Sequence, residues 1–226
     1  MDYQLQDNIA IVTLDDGKAN VVGPALQGFI NECLDRAQAE GAGAVILRGR
    51  EGMFSAGFDL KEFKKGIEAT IAMVTGGMEL AIRLYGFPMP VVAACPGHGI
   101  AMGAFMLLAC DTRIGVRGDF NFTLPETRIS MEIPRAVQAL CHARIPARYT
   151  TRAVIQSEIF DPQTAVEAGF LDSVVDAAEL DAAAFEAALT MAALPQQSYA
   201  ANKLFLREAT LAQMQEQLDK AKAAAG

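Results

Sequence analysis

Tryptophan is absent from the 226 residues, histidine occurs twice and cysteine four times, and these scarce residues are not spaced for metal binding. Cys33, Cys95, Cys110 and Cys141 form no Cys-x-x-Cys pair, and only His98 and His142 could complete a tetrahedral set, so no metal site is expected. Separated thiols set among Ala, Val and Leu, as at Ala94-Cys95 and Ala109-Cys110, read instead as reduced, buried side chains of a cytoplasmic protein. Excess positive charge is also missing. Nineteen Lys and Arg against 27 Asp and Glu leave a formal charge of -8, which repels a polyphosphate backbone and argues against a nucleic-acid partner. Met1-Asp2-Tyr3-Gln4 lacks a basic segment followed by an apolar one, so no export signal is expected. Long unbroken apolar runs are lacking too. Between Arg83 and Asp111 only His98 could carry charge near neutrality, but Pro88, Pro90, Pro96, Gly97, Gly99 and Gly103 cut the stretch into pieces that lipid would leave unpaired, so no membrane span is expected.

What is present is a chain with 52% hydrophobic residues, enough for a full core in one large domain or one domain with an appendage. Ile9 to Leu14 reads as a strand ending in the turn Asp15-Asp16-Gly17. Pro24 suits the first turn of a helix whose Leu26, Phe29, Ile30, Cys33, Leu34 and Ala37 recur at three and four residues until Gly41. Ala44 to Leu47 is a strand apolar on both faces. A Gly-rich loop from Gly49 to Gly57, a helix from Thr70 to Tyr85 and a buried strand Val91 to Ala94 follow. Pro96-Gly97-His98-Gly99 reads as a turn, and Met102 to Ala109 as a central helix with no polar face. Strands near 112–116 and 120–123, helices over 134–142 and 146–156, a short helix from Pro162 stopped by Gly169, and a strand 171–175 complete an α/β pattern. From Ala177 onward the chain turns to strong helix formers, broken only around Pro195.

Two segments are candidates for chemistry. Gly52-Met53-Phe54-Ser55-Ala56-Gly57-Phe58-Asp59-Leu60-Lys61 is a loop of small residues that can bring backbone N–H groups to a ligand. Pro96-Gly97-His98-Gly99-Ile100-Ala101-Met102-Gly103 carries a strand into the N-terminus of the central helix, where unpaired N–H groups and the helix dipole favour negative charge. Asp111, after that helix, reads as a residue that pins a turn.

In this order and spacing the two segments resemble the oxyanion-hole signatures of the crotonase family, the enoyl-CoA hydratase and isomerase superfamily. The resemblance runs from about Ile9 to Val175 and takes in Leu124-Pro125-Glu126 and the stretch from Ala165 to Val175. It implies a crotonase-like spiral of ββα units over residues 1–176 with a helical C-terminal module over 177–226. It further implies trimers or pairs of trimers, an acyl-coenzyme A thioester as substrate and no tightly bound cofactor. By position, the N–H groups of Phe58 and Met102 hold the thioester oxygen, although Met102 stands where the family usually has glycine. Ala56, Phe58, Asp59 and Leu60 would line the coenzyme side of the site. Lys18 and Lys61, ahead of Lys64 and Lys65, would supply positive charge for its phosphates.

Hydratases of the family use two glutamates around the added water. The position of the first, three residues after the oxyanion donor, is Phe105, which moves no proton. The second matches Glu126 in Pro125-Glu126, although Ser130 replaces a glycine of that motif and one extra residue precedes Pro134. One carboxylate beside an oxyanion hole suits the isomerisation of a 3-enoyl to a 2-enoyl thioester, with Glu126 as base. His98, Phe105 and Glu132 are placed at the substrate pocket, and Glu132 could supply a missing acid. Hydration with Glu126 and another acid, thioester hydrolysis or decarboxylation, and a non-catalytic acyl-CoA-binding subunit are the alternatives.

Overall fold

The computed structural model describes residues 1–225. Two strands open the chain, β1 (Asp2–Gln6) and β2 (Ile9–Thr13), joined by Asp7 and Asn8, both at positive φ as a tight hairpin requires. Helix α1 (Pro24–Ala39) starts on Pro24 and buries Leu26, Ile30, Cys33, Leu34 and Ala37 on one stripe. Three strand pairs then repeat: β3 (Ala44–Arg48) with β4 (Gly52–Ser55), β5 (Val91–Cys95) with β6 (Gly97–Ile100), and β7 (Thr112–Val116) with β8 (Phe122–Thr123). Helices follow each pair. After β4 come α2 (Leu60–Phe63) and α3 (Ile67–Tyr85), after β6 comes α4 (Met102–Ala109), and after β8 come α5 (Arg135–Arg144) and α6 (Ala147–Thr150). A π-helical turn (Thr151–Ile155), α7 (Pro162–Glu167), β9 (Ser173–Val175), α8 (Leu180–Ala192) and α9 (Gln196–Ala225) complete the chain.

The first strand of each pair joins a six-stranded sheet of order β1-β2-β3-β5-β7-β9, antiparallel only at β1. The second strand joins a parallel three-stranded sheet, β4-β6-β8. This is the ββα spiral that the resemblance implies. Alternation along the large sheet sorts its side chains into two cores. Ala10, Val12, Val45, Leu47, Val91 and Ala93 face the main core with α1, α3 and α4. Ile9, Ala44, Ile46, Val92, Ala94 and Ile114 face α8 through Leu180, Ala184 and Ala188. Helix α9 packs across α3 and α5 and buries Met214 and Leu218 in the main core.

The glycine spacing predicts loops at 49–57 and 96–99, and here the structure differs, because 52–55 and 97–100 are strands of the small sheet. A Cβ on Gly97 would lie 1.9 Å from the Gly52 carbonyl carbon, and one on Gly99 would lie 2.6 Å from Leu107. At these two glycines the strands approach their neighbours too closely for side chains, and Ile100 is the one β-branched residue that 52–55 and 97–100 carry.

Candidate active site

Both candidate segments end in the small sheet, which brings them together. Asn20, fully buried at φ 49°, donates from its side-chain amide to the carbonyls of Leu14 and Phe54. The Ser55 hydroxyl donates to the Asn20 carbonyl, Ala56 N–H to Ala19 and Val22 N–H to Gly57. The loop carrying Lys18 is thereby stitched along residues 54–59. The Phe58 N–H is left without a hydrogen-bond partner among the described residues. Met102 N–H, at the first position of α4, is equally free.

These two donors are neighbours. A Cβ built on Gly57 would lie 2.7 Å from the Ala101 Cβ and 3.3 Å from the Met102 nitrogen, so the Gly57–Phe58 peptide passes directly beside the start of α4. The positive φ that a glycine would have eased at Met102 falls one residue earlier, on Ala101 at φ 51° and ψ -123°. This explains the departure at Met102: its own backbone is helical, and it needs no glycine. Gly77 of α3 completes the arrangement, since a Cβ there would meet the Phe58 ring at 2.6 Å and the Met102 sulfur at 3.3 Å. Both side chains fold onto α3.

The donors border a cavity of about 270 Å³ lined mainly by Phe58, Phe63, Met78, Ile100, Phe105 and Ile129. Ala56, Leu60, Ala101, Met102 and Pro125 also line it, and the polar side chains on its wall are Glu126 and Glu132. A larger open groove of about 710 Å³ runs between α5, the π-helical turn and α9, and shares Met131 and Glu132 with the site. It lacks the two donors and Glu126.

Glu126 begins a single 3-10 turn (Glu126–Ile129) that Pro125 starts and Ser130 ends. Ser130 adopts φ 59° and ψ 35°, the left-handed conformation that the motif's glycine would supply, so the substitution preserves the turn. Arg128 anchors that turn by donating from its backbone N–H to the Ser157 hydroxyl and from Nη2 to the Ser157 carbonyl. Glu126 is 7% exposed and its Oε2 has no partner among the described residues. Burial pushes its carboxyl up to about 7. Glu132 is exposed at the cavity rim.

Other predicted residues lie apart from the cavity wall. His98 accepts a hydrogen bond from Asn121 N–H at Nδ1 and packs edge-on against Phe120, which makes it a strand residue of the small sheet outside the pocket. Asp59 caps α2 through Lys61 N–H, and the side chains of Lys18, on the loop after β2, and Lys61, in the first turn of α2, are exposed. Lys65 pairs with Glu62 at 2.6 Å. Burial raises the thiols of Cys95 and Cys110 to about 12, so neither offers a thiolate near neutrality. Asn20 and Ala101 were not legible as site residues. A lone Asn after Gly17-Lys18-Ala19 and an Ala in a glycine-rich run are weak signals of unusual backbone.

A family model described as enoyl-CoA hydratase/isomerase matches residues 4–224 of this chain. The chain belongs to the enoyl-CoA hydratase/isomerase family. A structure named as an enoyl-CoA isomerase from Mycobacterium tuberculosis is 37% identical, superposes with a TM-score of 0.94, and is matched over 98% of this chain and 97% of its own. An enoyl-CoA hydratase structure from Mycobacterium marinum is also 37% identical, with a TM-score of 0.94 over 100% of this chain and 99% of that one. Human mitochondrial enoyl-CoA delta isomerase 1 is 29% identical over 179 residues, covering 78% of this chain and 59% of that protein. The chain spans about half the length of the curated relatives it matches. The matching proteins are named variously as hydratases, delta isomerases and carnitinyl-CoA dehydratases.

The raised Glu126 carboxyl carries a stability consequence. Its proton is held more tightly in the fold than in the unfolded chain, so neutral Glu126 costs nothing below about pH 4.5, and ionising it costs progressively more up to about pH 7. Glu126→Gln is therefore expected to stabilise the protein above pH 7 by up to ~3 kcal/mol, with the difference vanishing near pH 4. Urea unfolding of both proteins at pH 4 and pH 8 measures this. Equal stability at both pH values would mean that the carboxylate is solvated.

Proposed function

We propose that the protein isomerises 3-enoyl-CoA to 2-enoyl-CoA with Glu126 as the single proton carrier. One observation carries this reading: the cavity beside the two free N–H groups contains one buried carboxylate, and the helix position facing it is Phe105, 2% exposed and apolar. The Glu126 carboxylate takes a proton from C2 of the thioester. The C–H electron pair moves toward the carbonyl, and the Phe58 and Met102 N–H groups stabilise the negative oxygen that forms. Such donors typically contribute 10²–10³ each in rate. The enolate then collapses, the double bond moves from C3=C4 to C2=C3, and protonated Glu126 returns its proton at C4. No water is added and none is lost.

A carboxyl near 7 suits both halves of this cycle, being ionised enough to accept a proton and acidic enough to return it. The apolar wall keeps water from quenching the enolate. Lys18 and Lys61 are assigned to the coenzyme phosphates because they flank the loop that carries the Phe58 donor. The exposed Phe205 and Leu206 of α9 support assembly into trimers.

Hydration is the second reading, favoured by Glu132 at the same cavity rim. Purified protein is offered a 3-enoyl-CoA and, separately, a 2-enoyl-CoA while the absorbance of the conjugated thioester is followed. Isomerisation predicts a rise with the first and no change with the second. A fall with the second that Glu132→Gln removes would establish hydration, and binding without either change would make the chain an acyl-CoA-binding subunit.

A further inference from the structure

Helix α4 presents its first N–H to the cavity and has no polar side chain along its length, which is about 12 Å for eight residues. Packing against apolar neighbours resists sideways displacement, but directional bonds to α4 are made at its ends. At its far end three cations converge. Arg144 of α5 donates from Nε to the Leu108 carbonyl at 2.9 Å and from Nη2 to the Cys110 carbonyl at 2.5 Å. The Asp111 carboxylate accepts from Val91 N–H at 2.7 Å, and Asp111 N–H returns a bond to the Val91 carbonyl at 2.8 Å. Two residues of α9 close the cluster: Lys203 Nζ lies 2.6 Å from Asp111 Oδ2, and Arg207 Nη2 lies 2.8 Å from Oδ1.

The three side chains of this triad are between 4% and 8% exposed. Charges buried this deeply stabilise little by themselves, because their desolvation offsets the attraction. What the arrangement does is fix a position. Asp111 adds negative charge at the negative pole of α4, and the cations from α5 and α9 neutralise both. We infer that Lys203 and Arg207 are positioning residues for the oxyanion donor: through Asp111 they hold the axis of α4 so that Met102 N–H meets the thioester oxygen.

Lys203 is the member of this cluster that can change charge under mild conditions. Around it lie Asp111 and Cys110 after α4, the Met89 carbonyl before β5, and Arg207 and Tyr199 on α9. Arg144 from α5 and Tyr85 from α3 bear on the same cluster. Burial lowers its ammonium to about 8 despite Asp111. Above that pH Asp111 keeps Arg207 as its one cationic partner beside the Val91 N–H, and the hold on α4 weakens.

The inference rests on the isomerase reading, so its test has an optical arm that needs no turnover. Binding of cinnamoyl-CoA is followed by its ultraviolet spectrum, because withdrawal of electrons at the thioester oxygen shifts a conjugated chromophore to the red. In parallel, kcat for a 3-enoyl-CoA is measured from pH 6 to 10. Lys203→Met is expected to reduce the red shift and to lower kcat by about 10- to 100-fold with KM little changed, as small misplacements of a catalytic group do. Lys203→Arg, which stays charged, is expected to keep the red shift and to lose the alkaline limb near pH 8. A Lys203→Met protein with the full shift and kcat would overturn the inference, as would a Lys203→Arg protein with the wild-type alkaline limb. Should Lys203→Met fail to fold, Lys203→Arg decides. A wild type that shifts the probe without turning over the 3-enoyl-CoA overturns the isomerase reading alone, and the shift then judges the inference. A wild type that binds the probe with no shift overturns both.

Discussion

Glu126→Gln is expected to lower kcat for 3-enoyl-CoA isomerisation by about 10²- to 10⁴-fold while leaving acyl-CoA binding nearly intact, the range ascribed to one general acid–base group. Glu132, the other carboxyl on the cavity wall, is exposed at the rim, and His98 is held in the small sheet by Asn121 and Phe120. Glutamine keeps the shape of the buried side chain and adds no charge, so a loss of rate reports proton transfer. Because the same change is expected to stabilise the fold above pH 7, the activity loss cannot be mistaken for unfolding. The wild-type rate should rise with pH as Glu126 ionises, with a midpoint near 7. Steady-state rates and a thermal melt on the same preparations separate the two effects.

Gly57→Ala is expected to lower kcat by about 10²- to 10³-fold, the cost of losing an oxyanion donor. The added methyl group would sit 2.7 Å from the Ala101 Cβ and 3.3 Å from the Met102 nitrogen, and φ at this residue is +93°. Both backbones must shift, and both carry donors. Combining Gly57→Ala with Ala101→Gly removes one clashing carbon and relaxes the φ of 51° at residue 101, so the double variant should recover part of the rate. No recovery would place the damage in the φ at 57 rather than in the contact between the loops.

The core of the fold was legible because its strands and helices follow simple periods. Ala44 to Leu47 and Val91 to Ala94 announce strands buried on both faces, and α1 carries its stripe plainly. Of the small sheet, the strand near 120–123 was legible, whereas 52–55 and 97–100 were not, because glycines there allow close approach: Gly97 against Gly52, and Gly99 against Leu107. At the site, Glu126 and Phe105 were legible from motif and spacing, and the cavity holds both on its wall. Met102 drew attention as the departure from glycine, whereas the unusual backbone falls on Ala101, since the chain bends just before the helix begins. Ser130 shows the same separation of residue type from backbone, taking up a left-handed turn without a glycine. The pair between Lys203 and Asp111 spans 92 residues, and no local pattern in an Ala- and Gln-rich helix reveals which lysine turns inward.

The central claim is that one carboxylate moves one proton from C2 to C4 of the bound thioester. The most direct test is to supply a 3-enoyl-CoA deuterated at C2 and to locate the label in the 2-enoyl product by NMR within a single turnover. The account predicts deuterium at C4, because Glu126 is buried in an apolar cavity and returns the atom it took before exchanging it with solvent. A 2-enoyl product with no deuterium at C4, the removed label having gone to solvent, or a product carrying a hydroxyl at C3, would contradict it.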